Sequence, residues 1–199
     1  MGSTRLPAFL LFLGLGLSAQ GQPASGNFLV AARGLVDPNF ARSVVLLVKH
    51  DADGSLGLII NRPTAVPLSR LFPEESGLHR QDGILYAGGP VEAGRFLLLL
   101  RAPFRPQESH PVFADVYLGF TRAALRDPRG IPAIRVYAGY AGWAPGQLES
   151  EIARADWRLL PAEAAAIFEE SPERLWEELT RRLDTPVAVE APAVLEAPL

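Results

Sequence analysis

The sequence predicts an α+β fold, in which one mixed, twisted sheet packs against a few helices in a single domain. Segments typical of strands come first along the chain and segments typical of helices come mostly later, which is the order found in α+β domains. The chain has 199 residues, of which 48% are hydrophobic. That composition is sufficient for one core of ordinary size, so we expect one domain rather than two.

Six apolar segments are predicted to be strands. Residues 44–48 and 56–60 are continuous apolar runs, which are typical of strands that are buried on both faces. Asp53-Gly54 lies between them and is a strong hairpin signal. The four other predicted strands are residues 84–87, 96–100, 116–120 and 134–138. Glycine and proline interrupt residues 101–111 and 127–132, which are predicted to be loops.

Three helices are predicted in the last third of the chain. The first covers residues 145–155, because Pro145 suits the first helical position, where the backbone N–H has no partner anyway. The second covers residues 161–169. The third begins after Ser171, and its apolar stripe predicts a helix that packs on the core. The stripe consists of Leu175, Trp176, Leu179 and Leu183.

Both ends of the chain are predicted to lie outside the domain. Arg5 precedes the apolar run 6–19, which is shorter than the ~20 residues of a membrane-spanning helix. Ala19-Gln20-Gly21 then matches the small-x-small pattern of a cleavage site. We therefore predict that residues 1–21 are a signal peptide and that the protein is periplasmic or secreted. The alternatives are an uncleaved anchor or a misassigned start. Residues 22–26 are predicted to be a linker and residues 184–199, rich in Pro and Ala, a disordered tail.

The composition argues against several classes of function. The net charge is −3 and the densest basic run is the pair Arg181-Arg182, so we expect no nucleic-acid binding. The absence of cysteine excludes disulfides, cysteine-ligated metals and thiol catalysis. His50, His79 and His110 are scattered without the spacing of metal ligands, so no metal and no cofactor are predicted. No Gly-x-Ser-x-Gly elbow is present, so a hydrolase of that class is not supported.

Three short motifs carry the strongest functional signal. Asn61-Arg62-Pro63 follows a buried strand, a place where binding groups are common. Arg62 offers a planar fork of donors to a carboxylate, either of a ligand or of this chain, for which Glu149 is our candidate. Gly88-Gly89-Pro90 forms a tight turn at the end of another strand. Residues 139–151 combine three glycines with Tyr140 and Trp143 in a predicted turn before a polar helix.

The start of that helix favours a structural role or a cationic ligand over a phosphate. Pro145 lacks an N–H, and Glu149 and Glu151 place negative charge in or near the first turn. The two carboxylates are about 200° apart around the helix, so they are not expected to act as a catalytic pair. Gln147, Glu151 and Arg154 share one side and predict a local polar network. Ligand recognition and acid–base chemistry remain as alternatives.

The motifs, taken in order along residues 26–183, resemble the bacterial YqgE/AlgH family. The opening Asn27-Phe28-Leu29-Val30-Ala31 resembles the first strand of that family, and Trp157 and Trp176 follow in the family's order. The resemblance implies an α+β domain over residues 27–183 and a site at the motifs, without implying a reaction. One member of that family is labelled a transcriptional regulator. The members of the family are mostly cytoplasmic.

We expect the three motifs to converge in space, with Arg62 paired to Glu149 and Trp143 as a wall of the site. Our first interpretation is an exported, non-enzymatic binding or regulatory domain for a small ligand or a protein partner. The first alternative is a small enzyme of unknown reaction at Asn61, Arg62, Tyr140 and Glu149. The second alternative, a DNA-binding regulator, conflicts with both the charge and the export signal. The candidate ligand-binding residues are Asn61, Arg62, Gly88, Gly89, Pro90, Tyr140, Trp143, Gln147, Glu149 and Glu151.

Overall fold

The computed structural model describes residues 22–74, 83–121, 123–126 and 130–185. The strands are β1 (Asn27–Ala31), β2 (Val44–Asp51), β3 (Gly54–Ile59), β4 (Pro63–Pro67), β5 (Ile84–Ala87), β6 (Val91–Arg101), β7 (Ser109–Phe113), β8 (Val116–Gly119), β9 (Ala133–Trp143) and β10 (Trp157–Pro161). The helices are α1 (Leu68–Leu71), α2 (Ala123–Arg126), α3 (Gln147–Ala153), α4 (Ala164–Phe168) and α5 (Pro172–Asp184).

The strands form one mixed sheet, which confirms the predicted α+β class. Its order is β10-β1-β2-β3-β9-β6-β8-β7, and β5 joins β9 while also pairing with β4. The β5–β9 pairing is parallel, whereas the neighbours along the main path are antiparallel. The central strand β9 therefore connects two halves of the sheet: its first part pairs with β5 and β6, and its last part pairs with β3.

Two hydrophobic clusters lie against this sheet. The larger contains the whole apolar part of β2, residues 44–48, together with Trp143, Trp157 and the inner face of α5. The smaller contains Leu68 and Leu125 from the short helices α1 and α2. Burial of residues 44–48 confirms that this continuous apolar run is an internal strand, since only a strand covered on both faces buries successive side chains.

Three strands were not predicted, and two of them lie at the edges of the sheet. The edge strand β7 begins inside the predicted loop 101–111 and contains Pro111, which is tolerated at an edge because an outward N–H is not needed there. The other edge strand is β10, and the third unpredicted strand is β4. Short edge strands carry polar or proline residues, so they lack the apolar run that identified β2.

The predicted turn at residues 139–143 is wrong, because these residues continue β9. Gly139 has φ +70 and Gly142 lies opposite Leu56 of β3, so the chain bends without leaving the sheet. A Cβ atom at Gly139 would lie 2.5 Å from the carbonyl oxygen of Gly89. Glycine is needed here because two backbones approach each other closely. A glycine-rich sequence is equally typical of a turn, so the two cases cannot be told apart from the sequence.

The helices agree with prediction best where an apolar stripe was long. α5 covers Pro172–Asp184 and buries Leu175, Trp176 and Leu179, as predicted. α3 begins later than predicted, because Gly146 with φ +74 is its N-cap residue and Pro145 lies before the helix. The predicted helix 161–169 is shortened to α4 (Ala164–Phe168), since Pro161 ends β10.

The end of the predicted linker 22–26 is attached to the sheet. The N–H of Gly26 donates to the carbonyl of Leu47 at 2.9 Å, and its carbonyl accepts from the N–H of Ala162 at 2.9 Å. The predicted signal peptide 1–21, the tail beyond residue 185 and His79 lie outside the described residues. None of the helices in the described ranges is long and apolar enough to cross a membrane.

Candidate functional site

Asn61 fastens the loop between β1 and β2 (residues 32–43, called the β1–β2 loop below). Its Oδ1 accepts from the N–H of Val44 at 2.8 Å, and its Nδ2 donates to the carbonyl of Arg42 at 3.0 Å. Arg42 has φ +57, a conformation that residues other than glycine rarely adopt. The side chain of Asn61 therefore helps to hold the end of the loop in a backbone conformation that is unfavourable by itself.

Arg62 fastens the middle of the same loop. Its guanidinium donates to the carbonyls of Asn39 at 2.6 Å and Ala41 at 3.2 Å. Partial burial lowers the pKa of Arg62, and the charge of Asp37 opposes that shift. The predicted pair with Glu149 is wrong, because the Arg62 guanidinium donates to carbonyls of the loop. The sequence could not predict these partners, because backbone carbonyls are the same at every residue.

Gly88 and Gly89 bring the end of β5 against the central strand. The N–H of Gly88 donates to Ala138 at 2.8 Å, and its carbonyl accepts from Ile59 at 2.8 Å. A Cβ atom added to Gly89 would lie 2.2 Å from the carbonyl carbon of Tyr140. The glycines are therefore required by a backbone contact, whereas Pro90 beside them is exposed.

The three motifs converge, as predicted. The carbonyl of Arg62 accepts from the N–H of Ala87 at 2.9 Å, one residue before Gly88. Gly88 and Gly89 in turn lie against Gly139 and Tyr140 of β9. The convergence is between backbones, so the motifs share a place in the fold without pointing their side chains at one common point.

Tyr140 has a partner of its own, Glu92, which none of the other motif residues contacts through its side chain. Its hydroxyl donates to Oε1 of Glu92 at 3.2 Å. Burial, followed by the negative charge of Glu92, raises the pKa of Tyr140. A phenol with a raised pKa stays protonated at neutral pH, which suits a hydrogen-bond donor and not a general base.

Trp143, Gln147 and Glu151 form a structural network at the start of α3. Oε2 of Glu151 accepts from the indole N–H of Trp143 and from that of Trp157, each at 2.8 Å. Oε1 of Glu151 accepts from Nε2 of Gln147 at 2.9 Å, and Oε1 of Gln147 accepts from the N–H of Ala144 at 3.0 Å. The predicted Gln147–Glu151 contact is confirmed.

Arg154 does not belong to that network, which corrects the predicted set of three. Its guanidinium pairs with the carboxylate of Asp156 at 2.9 Å. The third partner of Glu151 is Trp157, which donates its indole N–H to the carboxylate. Trp157 is the first residue of β10 and does not belong to the helix. A helical pattern could not reveal it, because its partner Glu151 is reached across the turn between α3 and β10.

Glu149 faces away from this network and lies near His50. Its Oε1 is 3.5 Å from Nε2 of His50, whose Nδ1 is 2.8 Å from Oγ of Ser55. His50 and Ser55 lie opposite each other in the β2–β3 hairpin, and Ser55 is only 9% exposed. A cross-strand pair with a buried hydroxyl indicates a structural role for His50.

A groove that the sequence did not predict lies where the β1–β2 loop meets α5. It has a volume of about 560 Å³ and is called the arginine groove below. Six of its lining residues are Arg33, Arg42, Trp176, Glu177, Arg181 and Asp184. The basic pair at Arg181 was visible in the sequence, whereas the contribution of Arg33 and Arg42 depends on the fold. Within the described ranges, no group of three His, Asp or Glu side chains could hold a metal ion.

Comparisons with known proteins agree with the motifs. A family described as AlgH-like matches residues 28–188. A UPF0301 protein of Streptomyces coelicolor is 38% identical over 79% of this chain and 86% of its own length. A UPF0301 protein of Methylococcus capsulatus is 39% identical over 82% of this chain and 93% of its own length.

Two solved structures have the same fold. The crystal structure of protein DIP2367 from Corynebacterium diphtheriae superposes with a TM-score of 0.73 at 26% identity, covering 85% of this chain and 91% of that one. The solution structure of the AlgH protein from Pseudomonas aeruginosa gives a TM-score of 0.67 at 30% identity, covering 84% and 93%. The chain therefore belongs to the YqgE/AlgH family of AlgH-like proteins.

Proposed function

We propose that this protein is an exported, non-enzymatic binding domain that recognises a partner through its β1–β2 loop. One observation carries the proposal. Asn61 and Arg62, the strongest candidates for a reactive site, direct their side-chain donors to the backbone carbonyls of Arg42, Asn39 and Ala41. The polar groups of this motif are occupied in holding the β1–β2 loop. We therefore infer that the motif supports a binding surface on that loop and is not itself a reactive site.

The β1–β2 loop has the properties of a preorganised contact surface. Phe40 anchors it in the core, with ring centroids 6.1 Å from Trp143 and 5.6 Å from Trp157. Oδ1 of Asp37 accepts from the N–H of Asn39 at 2.8 Å and closes a tight turn. Val36 lies in this ordered loop, and 90% of its surface is exposed. A loop that is already ordered loses less conformational entropy on binding.

The enzyme alternative has less support from the same residues. Asn61 and Arg62 serve the loop, Tyr140 serves Glu92, and Glu149 lies beside His50. These four side chains therefore serve three separate places in the fold, whereas catalysis requires groups that meet around one reacting atom. If the domain is regulatory, the net charge of −3 favours action through a protein partner over DNA.

Photo-crosslinking tests the recognition loop directly. A photoreactive amino acid at position 36, introduced in cells that make the protein, is expected to give one discrete covalent adduct. The matched control is position 91, because Val91 is also an exposed apolar residue but lies on β6. The Asn61→Ala background should abolish the adduct, since it releases the loop. Equal crosslinking from positions 36 and 91, or none from position 36, would contradict the proposal.

Export has its own test. The short apolar run after Arg5 and the small residues Ala19 and Gly21 support cleavage by a signal peptidase. Mass spectrometry of the protein purified from its native cells is expected to find the N-terminus near Gln22. An intact form that begins at Met1 in the cytosolic fraction would show that the protein is not exported.

A further inference from the structure

The arginine groove combines guanidinium groups in a way that leaves most of their donors available. Trp176 forms its base: the indole N–H donates to the carbonyl of Ala31 at 2.8 Å, which fixes the ring. The Cζ atom of Arg42 lies 4.7 Å from the ring centroid and that of Arg33 lies 5.8 Å away. Stacking on an aromatic face holds a guanidinium without using its in-plane N–H groups.

The hydrogen bonds in the groove account for few of those N–H groups. Arg42 pairs with Glu177 at 2.5 Å and Arg33 pairs with Asp184 at 3.1 Å. A guanidinium has five N–H donors, and these two side chains are 64–65% exposed. Arg181 shows no side-chain hydrogen bond or ion pair to any other residue in the described part of the chain. Three guanidinium groups can therefore still donate to a ligand.

The arginine groove carries an excess of positive charge, whereas the net charge of the whole chain is negative. The whole chain carries −3, whereas Arg33, Arg42 and Arg181 line the groove together with only two carboxylates. One of those carboxylates, Asp184, is also bound by Arg158 from β10. The local excess of positive charge therefore favours an anionic ligand in this groove.

The arrangement of the charges favours an extended ligand over a compact one. Glu177 and Asp184 stand among the arginines, so a compact dianion would approach resident carboxylates as well as guanidinium groups. The two acids lie seven residues apart on α5, which is about 10 Å along a helix. An extended peptide covers that distance with about three residues, and its alternate side chains face the same way.

We propose that the arginine groove binds an extended, glutamate- or aspartate-rich segment of a partner protein. The inference rests on the proposed function, because Arg33 and Arg42 are the two ends of the exposed part of the β1–β2 loop. The carboxylates of the segment accept from the free edges of the stacked guanidinium groups. The acidic chemistry of the partner is what this inference adds to the recognition surface.

The probe is a capped octapeptide in which Glu and Ser alternate, titrated into the ¹⁵N-labelled domain at low ionic strength. We expect amide shifts on the β1–β2 loop and on the exposed side of α5. The same peptide with Gln for Glu should bind at least ~10-fold more weakly, since each charge-assisted hydrogen bond is lost. Inorganic phosphate at equal charge should not reproduce the peptide's shifts or displace it.

Two variants locate the binding in the groove. Arg42→Asn removes the guanidinium while tolerating the positive φ, and Arg181→Gln makes the same test on α5; each should weaken the peptide at least ~10-fold. Arg154→Asn is the matched control, because Arg154 is 61% exposed and pairs with Asp156 outside the groove. Unchanged affinity in both groove variants, equal binding of the Gln peptide, or displacement by phosphate would overturn the inference. Those results would leave the crosslink from position 36 as a separate test of the proposed function.

Discussion

Replacing Gly89 by alanine is expected to prevent folding or to lower the free energy of unfolding by more than ~3 kcal/mol, the upper end of ordinary overpacking. The added Cβ would lie 2.2 Å from the carbonyl carbon of Tyr140 and 2.5 Å from the nitrogen of Ala141. Both atoms belong to the backbone of the central strand β9, which cannot move aside as a flexible side chain can. Urea unfolding followed by far-UV circular dichroism measures the loss.

Gly94→Ala provides the matched control for that substitution. Gly94 lies in β6, and no heavy atom stands within 4 Å of the position that its Cβ would occupy. The free energy of unfolding of Gly94→Ala should stay within ~0.5 kcal/mol of that of the unmodified protein, as for surface changes in general. A Gly89→Ala protein with that same free energy of unfolding would refute the close contact between Gly89 and β9.

Glu151→Ala is expected to lower the free energy of unfolding by ~2–6 kcal/mol, because two buried donors lose their partner and each costs ~1–3 kcal/mol. One oxygen of Glu151 accepts from two indole N–H groups, and the side chains of Trp143 and Trp157 are only 6% and 1% exposed. Urea unfolding monitored by tryptophan fluorescence measures the loss, and Trp143 and Trp157 are two of the three tryptophans that give the signal.

Two further variants separate hydrogen bonding from charge and from helix composition. Glu151→Gln keeps an oxygen for the indole groups, so its loss should be smaller than that of Glu151→Ala. Glu149→Ala lies on the same helix, and the Glu149 side chain is 48% exposed beside His50, so we expect almost no change. If Glu149→Ala were as damaging as Glu151→Ala, the effect would belong to the helix and not to the indole contacts.

The parts of the fold that were predicted are those in which the side chains alone carry the signal. The apolar run 44–48 predicted a buried strand, and Leu175, Trp176 and Leu179 predicted the buried face of α5. The edge strands β7 and β10 were missed because they are held by backbone pairing on one side only. Residues 139–143 were predicted as a turn because glycine has the same sequence signature in a turn and in a crowded strand.

The candidate site likewise contains features that the sequence predicted and features that it could not predict. Three motifs rich in glycine or polar groups correctly predicted one junction, since each needs a close backbone neighbour. The partners of Asn61 and Arg62 could not be predicted, because carbonyl groups occur at every residue. The arginine groove was missed for another reason: Arg33 and Arg42 come from the start of the domain and Arg181 from its end.

The position of β1 determines when the domain can be completed during synthesis. Among the strands of the described residues, β1 comes first along the chain and β10 comes last, yet β1 lies between β2 and β10. Pairing of such distant segments delays folding until nearly the whole chain is available. Until β10 has been made, β1 can be paired on one side only, so the domain cannot complete its native fold. That is the state in which a polypeptide can be threaded through a secretion channel, so the topology and the predicted export route are compatible.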